Sequence, residues 1–234
     1  MARARRLALA GELHYVVQRG HSGQPVFVDD LDRQLFLSTL RDAAAQHGLS
    51  IHAYTLLDSA VHLLATPRDA GSLSLAMQSL GRRYVAASNR RHQRSGTLWE
   101  GRFRAGLVDG ETLGLEALLL VETQPVRAGF VNAAADWVWS SVQHHLGRRR
   151  DPLVTEHGAY WQLGNTPFER EHALTLKLAD GVPMSTAQRI EQAALQGRAA
   201  GSSAYVAGVE ARAGRPLGIR PRGRPPRPGS MTNP

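Results

Sequence analysis

Ahead of Pro125 the chain carries four short runs of β-forming residues, interrupted after the first and the third by long stretches with helical apolar spacing. Residues 12 to 19, Glu-Leu-His-Tyr-Val-Val-Gln-Arg, end at the turn cluster Gly20-His-Ser-Gly-Gln-Pro25, as a strand does before a loop. From Asp29 onward, Leu31, Leu35, Phe36, Leu40, Ala43 and Ala44 recur at helical spacing, with Asp29 or Asp30 available as N-cap and Gly48 as terminator. Residues 49 to 57 and 61 to 66 flank Asp58-Ser59-Ala60 and predict a hairpin closed by Pro67. A second amphipathic helix follows over about 73 to 92, and 103 to 108 reads as a fourth strand. The β-α-β-β-α-β order predicts an α+β fold of the ferredoxin-like, split βαβ type, with an antiparallel sheet and helices on one face. Residues 111 to 123 predict a buried helix that stops at Gln124-Pro125, because proline disfavours helical geometry in the residue before it.

Later signals are weaker. Trp137-Val-Trp-Ser-Ser141 predicts an apolar element packed back on the core, and helices are expected near 167 to 179, 185 to 197 and 202 to 213. The expected organisation is a domain over 1–146, a helical extension over 147–213 and a disordered Arg/Pro/Gly-rich tail over 214–234.

Charge narrows the partners. The formal net charge is +8, and Lys177 is the sole lysine, so the positive charge is carried by arginine. Guanidinium groups match phosphate oxygens and guanine edges and stack on bases, although a GC-rich coding sequence also writes arginine for lysine. With no cysteine, disulfides and thiolate metal sites are excluded. The basic N-terminus lacks a secretory apolar run and no stretch approaches a membrane span, so a cytoplasmic protein without a membrane partner is expected.

Three segments resemble the REP-associated tyrosine transposases, a family of HUH single-strand nucleases. They are Tyr15-Val-Val-Gln-Arg-Gly20; Gly81-Arg-Arg-Tyr-Val85 with Asn89-Arg-Arg91 and Gly96-Thr-Leu-Trp-Glu-Gly-Arg-Phe-Arg104; and Pro125-Val-Arg-Ala-Gly129 followed by Trp139-Ser-Ser141. Together they span roughly residues 11 to 146 in the family's order. The resemblance implies a His-hydrophobe-His strand holding a divalent ion, Mg or Mn, and a helix-borne tyrosine that attacks a phosphate to leave a 5′-phosphotyrosine.

The chain departs from that pattern at two positions. His62 matches the second histidine, but Ala60 stands at the first, and a methyl group cannot ligate a metal. Leu120 stands where the family has its tyrosine, and Gln124 keeps the amide that would complete the metal site. Catalytic residues are therefore expected to be absent, with His62 and Gln124 as vestigial ligands and metal binding weak or lost. Tyr84 has no nucleophilic role in the resemblance.

DNA binding is expected to survive. Arg82, Arg83, Arg90, Arg91, Arg94, Arg102 and Arg104 mix with Tyr84, Trp99 and Phe103, a composition suited to a single-strand or hairpin surface. Arg222 and Arg224 lie in an Arg-Gly-Arg-Pro sequence similar to an AT-hook core, or else form a nonspecific basic arm. Arg3, Arg5 and Arg6 are a further candidate arm. Trp137, Trp139, Trp161 and Phe168 suggest core or dimer packing, and His144-His145 with Arg148-Arg149-Arg150 a solvated helix end. The leading expectation is a non-cleaving binder of REP-like hairpin DNA, monomeric or homodimeric. The alternatives are an active transposase using unusual residues, for which some hydroxyl must lie near His62 and Gln124, and an RNA-binding or structural protein on the same scaffold.

Overall fold

The computed structural model describes residues 8–219. Its first elements follow the expected order: β1 (Leu13–Arg19), α1 (Asp30–His47), β2 (Leu49–Leu57), β3 (Ala60–Pro67), α2 (Ser72–Arg91) and β4 (Arg104–Val108). The strands pair antiparallel in the order β2-β3-β1-β4, the split βαβ arrangement. Then come α3 (Gly114–Glu122), α4 (Gln124–Arg127), α5 (Val142–His145), α6 (Gly158–Trp161), α7 (Pro167–Asp180), α8 (Met184–Gln196), β5 (Ala199–Ala200) and α9 (Ser203–Ala213). β5 adds to β4 as a parallel fifth strand.

Local chemistry sets the limits of α1. The Asp29 side chain accepts a hydrogen bond from the Asp32 N–H, capping the start. At the far end Gly48 adopts φ 65°, a left-handed conformation that costs glycine little, and its N–H closes on the Ala44 carbonyl.

Side-chain alternation along β1 divides the interior in two. Val16 faces one apolar layer with Phe36 and Leu40 of α1 and Leu73, Met77 and Leu80 of α2, so both helices of the split βαβ unit lie on one face. Leu13, Tyr15 and Val17 face a second layer. That layer is built from α3, whose Leu118, Leu119, Leu120 and Val121 are all buried, and from Ala187, Ile190 and Ala193 of α8. It therefore draws residues from both sides of position 146. Burial on every side explains why α3 has no polar stripe. Gly106 of β4 permits the close approach of α8, since a Cβ there would lie 2.4 Å from the Ala193 carbonyl carbon.

The 137–141 segment packs along β2 as expected. The Leu56 N–H donates to the Trp139 carbonyl at 2.9 Å, and Trp137 Nε1 donates to the Leu56 carbonyl at 3.0 Å. Beneath it, Glu122 Oε1 accepts from Ser141 Oγ at 2.6 Å and meets His145 Nδ1 at 2.7 Å, with all three residues fully buried. His145 is thus an internal partner of a carboxylate and not part of a solvated helix end. Of the two uses expected for Trp161 and Phe168, core packing does not hold: they are 51% and 77% exposed, with Trp161 flanked by the Arg170 guanidinium at 4.3 Å. Among the described residues no helix is long and apolar enough to cross a membrane.

Candidate functional site

Ala60 opens β3 opposite Arg19 of β1, and His62 follows two positions later opposite Val17. Two-residue spacing puts both on the sheet face covered by α3 and α8. Gln124 enters from the start of α4, so the structure brings the two retained ligand positions together through a third side chain. The Tyr15 hydroxyl lies 2.7 Å from His62 Nδ1 and accepts from Gln124 Nε2 at 3.2 Å. Gln124 Nε2 also lies 3.4 Å from Glu191 Oε1 on α8, and Arg127 Nη2 lies 3.5 Å from the same oxygen. Leu120 is wholly buried in the apolar layer beside this chain of bonds.

Electrostatics fixes the roles within it. Burial, and then the positive charges of Arg19 and Arg127, push the His62 pKa down to about 3, so the imidazole is neutral and Nδ1 can accept. Burial first, then the nearby Glu191 carboxylate, pushes the Tyr15 phenol well above its ordinary range, so it stays protonated and donates. A divalent Mg or Mn ion needs several oxygen donors around it. Here Ala60 offers none, His62 Nδ1 is taken by Tyr15, and among the described residues no group of three or more His, Asp or Glu gathers. The residues present do not fit such an ion.

The basic residues divide into paired and unpaired side chains. Arg91 bridges Asp32 at 2.7 Å and also pairs with Asp29, tying the end of α2 to the start of α1; Arg83 pairs with Asp42 at 2.9 Å. Arg19, Arg82, Arg90, Arg94 and Arg102 are exposed and form no ion pair among the described residues. Arg19 and Arg102 converge with Arg104 on a depression floored by Val17, with Glu100 as its acidic neighbour. Arg104 Nη1 also reaches the Leu195 carbonyl at 3.4 Å.

The aromatic residues expected among these arginines are elsewhere. Tyr84 is fully buried, edge-on to Phe36 with 5.1 Å between ring centroids, and its hydroxyl donates to the Val26 carbonyl at 2.8 Å. Its ring cannot stack on a base; Trp99 and Phe103 are buried beside the same core. Arg222, Arg224, Arg3, Arg5 and Arg6 lie outside the described residues. Sequence reasoning passed over Tyr15, Arg19, Arg127 and Glu191 as site residues. The first three sit inside the quoted motif segments, which was the available signal; nothing in the sequence links Glu191 to them.

No family model matches the chain, and no curated protein matches it. Among solved structures it is similar to that of a REP-associated tyrosine transposase bound to a REP hairpin, at 16% identity and a TM-score of 0.55, over 68% of this chain and 96% of that one. It is also matched to a crystal structure of a putative transposase from Deinococcus radiodurans R1, at 20% identity and a TM-score of 0.35, over 56% of this chain and 95% of that one. The first of these shows that the chain shares the fold of a REP-associated tyrosine transposase.

Proposed function

We propose that this chain is a transposase-related DNA-binding protein that recognises single-stranded or REP-like hairpin DNA and does not cleave it. The convergence of Arg19, Arg102 and Arg104 on one depression carries this reading, because it lies beside the residues that an active relative would use on phosphate. Arginines without acidic partners attract a phosphate backbone, and each contact releases counterions. The absence of cleavage rests on Ala60, Leu120 and the closed Tyr15–His62–Gln124 chain. The fold neighbour's REP hairpin supports the choice of ligand.

A fluorescence anisotropy titration with a folded hairpin oligonucleotide tests binding: affinity that weakens steeply with salt is expected, and salt-independent or absent affinity at low salt overturns the proposal. Incubation of the same hairpin with Mg or Mn is expected to give no covalent protein–DNA adduct.

One observation favours the active alternative. Tyr15 places a hydroxyl beside His62 and Gln124, as an enzyme with unusual residues requires. Its complete burial and raised pKa weigh against it as a nucleophile. An adduct lost in Tyr15→Phe would establish that alternative, and preference for an equal-length RNA hairpin would move the protein to RNA.

A further inference from the structure

At the β2 edge, on the side of the sheet covered by α1, a cleft of about 420 Å³ is lined by Arg41 of α1, Trp139, and Arg149 and Arg150 from the segment after α5. These residues are scattered in sequence and form no motif. Arg41, Arg149 and Arg150 are exposed, and none forms an ion pair among the described residues. The acid in the cleft, Asp151, is committed internally: it accepts from the Tyr54 hydroxyl at 2.6 Å and from the Leu153 N–H at 3.0 Å. Trp139 is half-buried, held in place by the backbone bond from Leu56 and by the buried Arg33 guanidinium 5.7 Å from its ring. An anchored indole among three unpaired guanidiniums offers one stacking surface and several phosphate partners in a volume that accommodates a nucleotide.

We propose that this cleft is a second nucleic-acid subsite, which takes a single-stranded DNA segment by stacking a base on Trp139 and pairing its phosphates with Arg41, Arg149 and Arg150. The depression formed by Arg19, Arg102 and Arg104 adjoins β1 and β4, inside the sheet, whereas this cleft adjoins the edge strand β2, with β3 between β2 and β1. A ligand touching both must extend beyond one site. The inference rests on the DNA-binding reading above and adds to it a second contact surface, at the β2 edge of the sheet.

The test compares a labelled blunt hairpin with the same hairpin carrying a single-stranded extension of about ten nucleotides, within the usual footprint of a strand-binding groove. The extension is expected to tighten binding. Combining Arg41→Gln, Arg149→Gln and Arg150→Gln is expected to weaken the extended ligand about tenfold and reduce its log–log salt slope by about 2, as three lost single-strand contacts require. Blunt-hairpin affinity should stay within about twofold, and Trp139→Phe, which keeps a ring, should weaken the extended ligand less than the triple variant does. Equal affinity of the triple variant and the unaltered chain for the extended hairpin overturns the proposal, as does an equal loss with both ligands. If neither hairpin binds, the DNA-hairpin reading fails, and the strand alone decides the subsite: binding that the triple variant loses supports it, and no binding or unchanged binding overturns it. Competition by a mononucleotide at the strand's own concentration would assign the cleft to a free nucleotide and overturn the strand.

Discussion

Glu122 and His145, both fully buried, meet at 2.7 Å between the end of α3 and the end of α5. Ser141 Oγ donates to the same carboxylate oxygen, Oε1, at 2.6 Å, so one side chain ties the Pro125 and Trp-Ser-Ser segments of the resemblance together. Removing one partner strands the other in an apolar interior. His145→Ala is expected to lower unfolding free energy by about 3–5 kcal/mol, while an apolar replacement of both residues costs less. Urea denaturation measures both, and a His145→Ala variant as stable as the unaltered chain would contradict this role.

Tyr15→Phe keeps the ring and deletes the hydroxyl between His62 and Gln124. Leaving buried polar groups without a partner is expected to cost about 1–3 kcal/mol. Hairpin affinity should not change, because the hydroxyl is sealed from solvent. A matching fall in affinity would show that DNA reaches this chain of bonds.

The arginines separate by function. Arg19→Gln with Arg102→Gln is expected to weaken hairpin binding and lower the salt slope by about 2, with little change in thermal stability. Arg91→Gln is expected to do the reverse, since its guanidinium holds Asp29 and Asp32. The pairing already holds the Asp29 carboxyl down to about 2, chiefly through the hydrogen bond from Arg91. Paired melting curves and titrations on the two variants check the contrast.

Stability should fall on acidification. Burial lowers the pKa of His14 and His52 to about 4 and that of His62 to about 3, whereas unfolding returns each towards the ordinary histidine value of 6.5. Below the unfolded value the unfolded chain binds more protons, so the stabilisation present above pH 6.5 is lost as pH falls towards 4. At pH 5 each neutral buried histidine is expected to cost about 2 kcal/mol relative to pH 7. Thermal melts at the two pH values would reveal it, and an unchanged midpoint would rule it out.

The split βαβ order was legible because each element carries a local signal: the Asp29 cap and Gly48 terminator of α1, alternation in the strands, and Pro125 after α3. The helices α7, α8 and α9 also begin and end close to where their apolar spacing places them. β5 was not legible, since two alanines between helices have no periodicity and pair only because α8 delivers them to β4. The site divides in the same way. Ala60, His62, Leu120 and Gln124 are read from motif register, but Tyr15 and Glu191 join them only through tertiary packing. Tyr84 shows the opposite failure: helical spacing left open whether its ring faced the arginines or the core, and the contacts with Phe27, Phe36 and Trp99 settle it.

The bare α-carbon of Gly106 also bears on how the chain is made. Gly106 lets α8 lie close against β4, yet α8 leaves the ribosome well after β4 does. At a synthesis rate of about 5–20 residues per second, the part of the Leu13, Tyr15 and Val108 face that α8 covers waits roughly 4–20 s between completion of β4 and arrival of that helix. Nascent chains stalled before Met184 would therefore display this apolar face to chaperones, and a Gly106→Ala chain would go on displaying it after release.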